Sequence, residues 1–205
     1  MNIIAKERVE FFSDAVIAII ITIMALEIPT LKVDLENLKE FILTILIYFV
    51  SFSFISVIWY KYVFIFSNLE KLTKKMLYHN FMLLFAMSLI PTCVKNLLDG
   101  LNIVSIVIYG VLCLIINFIL FSLRLTVLKD RYLDKKINYN IFLIVRKVII
   151  KNKIYIDIIN IIAILMCFIN IYLSLFIFIM LSVFSFLKWS KENEDESNEI
   201  KNLKN

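Results

Sequence analysis

Runs of about 20 apolar residues recur along this chain, and they constrain its fold more than any other feature, because each is long enough to cross a bilayer as one helix. The chain has 205 residues and is 61% hydrophobic, with two glycines and two prolines. A soluble domain is nearer half apolar, and few helix breakers interrupt the runs here. A chain in lipid must satisfy its own backbone hydrogen bonds, so an all-α, multi-pass membrane protein is the expected class.

The runs predict six spans. The first covers about 11–28 and stops at Pro29. The second covers about 41–64, entered through the polar stretch Asp34–Asn37. The third covers about 76–94, with Pro91 near its end, and the fourth about 103–123. The segment Ile154–Leu187 is apolar almost throughout and as one helix would be roughly 50 Å long, against a hydrocarbon core of about 30 Å. It must double back, and Phe168–Tyr172, with Asn170 as turn residue, is the expected reversal. This leaves two arms of about 15–17 residues for spans five and six. The connection 124–153, with Ile141–Val145 and Val148–Ile150 alternating with basic residues, reads as a short interfacial helix. The division is a membrane domain at 1–190 and a polar cytoplasmic tail at 191–205. The Lys191–Glu199 stretch has no apolar face and fits a solvated helix end or a disordered tail.

Charge placement orients these spans. The net charge is +5, and its basic residues sit between apolar runs rather than on one polar face. Lys6 and Arg8, Lys71, Lys74 and Lys75, the cluster from Lys129 to Lys153, and Lys188 onward all fall on one side. Only Lys32, Lys39 and Lys95 fall on the other. Both termini are therefore expected in the cytoplasm of a cell membrane, and nucleic acid is not an expected partner. Cys93, Cys113 and Cys167 show no metal or disulfide spacing, and His79 is the only histidine, so no metal or other cofactor is expected. Frequent Ile, Lys and Asn suggest an AT-rich bacterial genome.

The first span opens on Arg8-Val9-Glu10-Phe11-Phe12-Ser13-Asp14. Ionisable groups at the mouth of a lipid-facing helix are costly and are functional candidates. They also fit an interfacial anchor, with Ser13 capping a turn and Arg8 snorkelling. On a helical wheel with Ala15 at zero, Ile19, Thr22 and Leu26 fall at about +40°, −20° and +20°, one narrow stripe. Arg8 and Phe12 continue the stripe if the helix reaches back that far. Asp14 lies about 100° away and should face a neighbouring helix. Periodicity alone does not distinguish a pore wall from ordinary packing.

Arg8, Phe12, Ser13 and Asp14, followed by an Ile/Thr/Leu-rich helix ending in Leu26-Glu27, resemble the signature of the transmembrane protein 175 family of potassium channels, found in animal lysosomes and in bacteria. Tyr48–Trp59, Asn80–Leu84 and Pro91 extend the resemblance into spans two and three. It implies a six-helix bundle that assembles as a homotetramer, with the first helix lining a central pore and K⁺ as the permeant ion. Carried over by position, the constriction and filter rings are Ile19, Thr22 and Leu26. The resemblance also implies an inter-helix network of Arg8, Phe12, Ser13 and Asp14 with Trp59 and Asn80. The chain departs from the family at Tyr62, where a histidine is frequent, and His79 is an alternative source of an imidazole. No Thr-Val-Gly-Tyr-Gly loop is present, so selectivity would rest on side chains and on ease of dehydration. Glu27 fits either a cation-concentrating group at the outer mouth or an interface anchor.

Two other classes compete. A small secondary transporter would show repeats or broken helices around a polar midplane site, and neither is evident. A membrane-embedded enzyme would need paired carboxylates or a nucleophile–base pair, and Asp14 and Asp157 stand alone.

Overall fold

The computed structural model describes residues 3–28, 38–67, 69, 71–134 and 137–202. The expected helix stop at Pro29, the Asp34–Asn37 entry and Lys32 lie outside them, as do Lys135 and Lys136 of the basic connection. Among the described residues the chain is helical, in the order α1 (Ile3–Leu26), α2 (Leu38–Ser67), α3 (Lys74–Ser88), α4 (Ile90–Asp99), α5 (Ile103–Leu133), α6 (Tyr139–Met166) and α7 (Ile171–Asn202). Taking α3 and α4 as one unit gives six helical units among the described residues. Four units, 6–26, 38–67, 74–99 and 103–133, are long and apolar enough to cross a membrane, and α7 adds a shorter apolar stretch, Ile171–Leu187.

Proline chemistry explains the bend between α3 and α4. Pro91 has no N–H, and its ring collides with the carbonyl four residues back, so the helix ladder is interrupted at Leu89. The third unit does not end at Val94, as its hydropathy suggests, but runs to Asp99. Tertiary packing carries it further: Ile90, Cys93, Val94 and Leu97 are buried, while Thr92, Lys95 and Asn96 are exposed. The start of α5 is fixed by Asn102, whose side chain accepts a hydrogen bond from the Ser105 amide at 2.9 Å.

The expected interfacial helix is not formed. α5 continues to Leu133, and α6 begins at Tyr139 and runs unbroken to Met166. Only residues 134–138 connect the two helices. The reason is local: Val145 and Ile149 of α6 bury against Leu128 of α5 and Ile137, forming a small second core. The basic residues of this stretch ride on a helical hairpin instead of lying flat on a surface. Both arms around the next turn are correspondingly longer than the 15–17 residues expected, since α6 has 28 residues and α7 has 32. α7 also continues past residue 190 into the polar stretch that the sequence reads as a solvated helix end or a disordered tail.

The α6–α7 reversal falls where the length argument puts it. α6 ends at Met166, and the Asn170 Oδ1 accepts from the amides of Tyr172 at 2.9 Å and Leu173 at 3.2 Å, capping α7. Asn170→Ala should therefore lower stability by about 1 kcal/mol, read as a lower thermal midpoint in detergent; an unchanged midpoint would show that the cap is redundant.

α2 is the central helix. It packs against α1, α4, α5 and α7, and Ile55, Ile58, Tyr62 and Phe66 along it are almost fully buried. The three cysteines are buried and free.

Candidate functional site

α1 is helical from Ile3, so the segment containing Arg8 and Phe12 is continuous with the apolar helix. Its side chains divide into two faces. Ser13, Ile17, Ile20 and Met24 are buried against the bundle, and on the wheel they fall between about 140° and 200°. The stripe lies diametrically opposite. Ala15 and Thr22 are exposed, as are Ile19 (55%) and Leu26 (83%). Within a single chain the stripe is thus the face that no other helix covers. A large cavity of about 420 Å³ runs beside it, between Ile19 and Ile23 of α1 and Pro91 and Lys95 of α4.

Thr22 is oriented by its own helix. Its hydroxyl donates to the Ile19 carbonyl at 2.8 Å, which uses the proton and leaves both oxygen lone pairs as acceptors. At the far end of α1, Glu27 is bound by Lys95 at 3.3 Å. The pairing joins α1 to α4 and offsets the negative charge that would attract cations.

The opposite face of α1 is held by a polar cluster. Ser13 Oγ donates to the Val9 carbonyl at 2.7 Å and accepts from Asn80 Nδ2 of α3 at 3.0 Å. Asp14 Oδ1 accepts from Trp59 Nε1 of α2 at 2.9 Å. Phe12 meets Phe81 of α3 edge to face, with ring centroids 6.1 Å apart. Asn80 is fully buried, and among the described residues neither its Oδ1 nor the buried Tyr62 hydroxyl beside Ser13 has a hydrogen-bond partner. Two helices of the bundle are thereby tied to α1 through adjacent residues. Trp59→Phe removes the donor to Asp14 and should weaken the α1–α2 junction by about 0.5–1.5 kcal/mol, as for a typical hydrogen bond. Faster proteolysis of α1 in the variant would register the loss, and an unchanged rate would remove this bond from the junction.

Arg8 stands apart. It is exposed, on the stripe side of α1, and among the described residues nothing joins it to Asp14, Trp59 or Asn80. His79 is also outside the cluster: it is exposed, and its Nδ1 pairs with the Lys75 carbonyl at 2.7 Å. Of the two, Tyr62 is the one that lies beside Ser13, without a hydrogen bond to it among the described residues. Sequence reasoning passed over Lys61, which is buried (3% exposed) and donates to Ser185 of α7 at 2.6 Å. The signal was available, because Lys61 is the one charged residue between 41 and 64.

A bundle of six helical units, four of them able to span a bilayer, with its first helix clamped by a buried polar cluster on one face and bare on the other, defines a multi-pass helical membrane protein. Residues 8–91 match the family model described as the endosomal/lysosomal potassium channel TMEM175. That stretch contains Arg8, the whole Ser13–Asp14 cluster and the exposed stripe. Over 87 residues the chain is 37% identical to a potassium channel of Chryseobacterium sp. (strain P1-3), a match that takes in 42% of this chain and 45% of the relative. The fold is that of the crystal structure of a lysosomal potassium-selective channel TMEM175 homolog from Chamaesiphon minutus, with a TM-score of 0.70, 23% identity, and coverage of 90% of this chain and 97% of that one.

Proposed function

We propose that this chain is a subunit of a potassium-permeable cation channel of the cell membrane, with both termini cytoplasmic, in which four copies pack α1 around a central axis. One observation carries the reading: the Ala15–Ile19–Thr22–Leu26 stripe is the uncovered face of a helix whose other face is locked by hydrogen bonds. An apolar stripe on a clamped helix suits a pore wall, which must be presented rigidly to an axis. The family description and the potassium-channel name of the Chryseobacterium relative agree with it.

The chemistry follows from the side chains. Four Ile19 residues around an axis form a hydrophobic constriction that opens and closes by wetting. Thr22, one turn along, presents hydroxyl oxygens whose protons are already committed, so their lone pairs replace part of a cation's hydration shell. Leu26 forms a second apolar ring. Without a backbone-carbonyl filter, discrimination rests on the easier dehydration of K⁺ than of Na⁺ and is modest. Ser13, Asp14, Trp59 and Asn80 set the rotation of α1 and thereby its radius at the axis, and Arg8 lies on the side facing other copies. Glu27, bound to Lys95, acts as an anchor.

Purified protein reconstituted into planar bilayers under opposed K⁺ and Na⁺ gradients tests the activity, and its mass in detergent tests the assembly. A reversal potential displaced toward that of K⁺, from a tetramer, is the expected outcome. A monomeric mass, or membranes that stay silent, would refute the reading.

A further inference from the structure

At the end of the bundle that carries the basic α5–α6 hairpin lies a cavity of about 50 Å³ that plays no part in the α1 stripe. At the roughly 10–15 Å³ of accessible volume that one water needs, this holds about three to five water-sized groups, enough for a phosphate's four oxygens. Lys61, Arg124 and Lys153 line it against a single carboxylate, Asp157, with the amides of Asn117 and Asn152 beside them. Asp157 is bound to Lys153, and Lys61 donates to Ser185 at 2.6 Å. With three cations and one carboxylate, the lining carries a net positive charge. Its remaining walls, such as Leu120, Phe121 and Ile156, are apolar.

Burial makes this placement demanding. Lys61 is only 3% exposed, inside a transmembrane helix, and a charge there marks a functional site by default. Depth fixes the setting. α5 has 31 residues, about 46 Å of helix, so a crossing of about 30 Å begun at Ile103 ends close to Arg124. Arg124 is thus at headgroup level. A second, smaller cavity shares Ile65, Arg124 and Ile149 with the first and adds Arg131. Arg131 is seven residues on, on the same face of α5 about 10 Å further out. The two cavities thus adjoin along shared residues, with apolar walls and cations at graded depth.

We propose that these adjoining cavities hold the phosphate of an anionic membrane lipid. Lys61 and Arg124 supply the charge, Asn117, whose amide donates one proton to the Cys113 carbonyl at 3.0 Å, has a second N–H for the ligand, and the apolar walls receive the methylenes next to the headgroup. A soluble phosphate shares the recognised chemistry but makes no use of those walls. The site is separate from the conduction reading, and its test reads binding alone.

The experiment is native mass spectrometry of the full chain in neutral detergent, with phosphatidylglycerol, phosphatidylcholine or inorganic phosphate added in separate arms. Phosphatidylglycerol should be retained and phosphatidylcholine should not. Arg124→Gln, at the membrane boundary, should cut retention about tenfold, equivalent to about 1.4 kcal/mol, and Lys61→Gln should cut it further. Lys129→Gln, an equal loss of charge at an exposed position outside both cavities, should leave retention unchanged. Should Lys61→Gln fail to fold, Arg124→Gln against Lys129→Gln decides alone. Equal retention of the two lipids, or equal retention by Arg124→Gln and the wild type, would overturn the proposal. Retention of inorganic phosphate without phosphatidylglycerol would overturn the lipid assignment.

Discussion

In the proposed channel, Ile19→Asn should raise the current above that of the wild type and weaken the distinction between K⁺ and Na⁺. Ile19 is 55% exposed on the uncovered face of α1, so replacing it removes little packing from the chain's own core. In the proposed tetramer the substitution changes four side chains in one ring. An apolar ring repels water and sets the energy needed to dehydrate an ion, whereas four amides hydrogen-bond water and keep the constriction wet. A barrier lowered by about 1.4 kcal/mol raises the rate tenfold, so even a small gain in wetting is visible in single-channel current. Selectivity falls for the same reason: an ion that keeps its water is not sorted by the cost of losing it. Single-channel recordings check both effects. Wild-type conductance together with wild-type K⁺/Na⁺ discrimination would take Ile19 out of the narrowest part of the path.

Gly110→Val should be the most damaging single substitution to the scaffold. A β-carbon at Gly110 would lie 2.5 and 2.8 Å from two carbons of Ile164 in α6, and 3.2 Å from the Phe178 ring in α7. Small residues at such crossings let transmembrane helices approach closely. Two terms oppose each other when glycine is replaced. Leaving glycine gains up to about 1 kcal/mol in helix propensity, while overpacking a dense interface costs about 1–3 kcal/mol. For alanine the terms come close to cancelling; for valine, with its branched and stiff side chain, the clash wins. Gly110→Val should lower the thermal midpoint and the yield of folded protein, and Ile164→Ala in the same chain should restore part of the loss. Absence of that rescue would mean that the close approach at Ile164 is not what limits the site.

Much of the architecture can be read from the sequence, because lipid simplifies the rules. Apolar length locates the first four membrane units, and the excess length of 154–187 places the reversal where Asn170 caps α7. The wheel separates the Ile19 stripe from the buried Ser13–Met24 face, since helical periodicity is all that this distinction requires. Hydropathy fails where a helix outlasts the membrane. α5 and α6 extend through basic sequence because Val145 and Ile149 find Leu128 and Ile137, a tertiary contact that composition does not encode. α4 similarly passes Pro91 and runs to Asp99 because one of its faces is buried. Pairings between distant residues are legible only with outside help: the resemblance names Trp59 and Asn80 as partners of the α1 motif, but nothing local joins Lys61 to Ser185, and the charge of Arg8 does not reveal that it stands outside the cluster. Residues recruited for their position on a folded surface leave no periodic mark.

The most direct test of α1 as the ion path is the K⁺ current through Thr22→Cys channels in planar bilayers before and after a cationic methanethiosulfonate reagent. The native thiols of Cys93, Cys113 and Cys167 are buried, and Thr22 is exposed on the stripe, so the new thiol should be the reactive one. A pore lined by this stripe predicts that the attached positive charge blocks the current and that reduction restores it. Unchanged K⁺ current through channels shown by mass to be fully labelled at residue 22 would contradict the account.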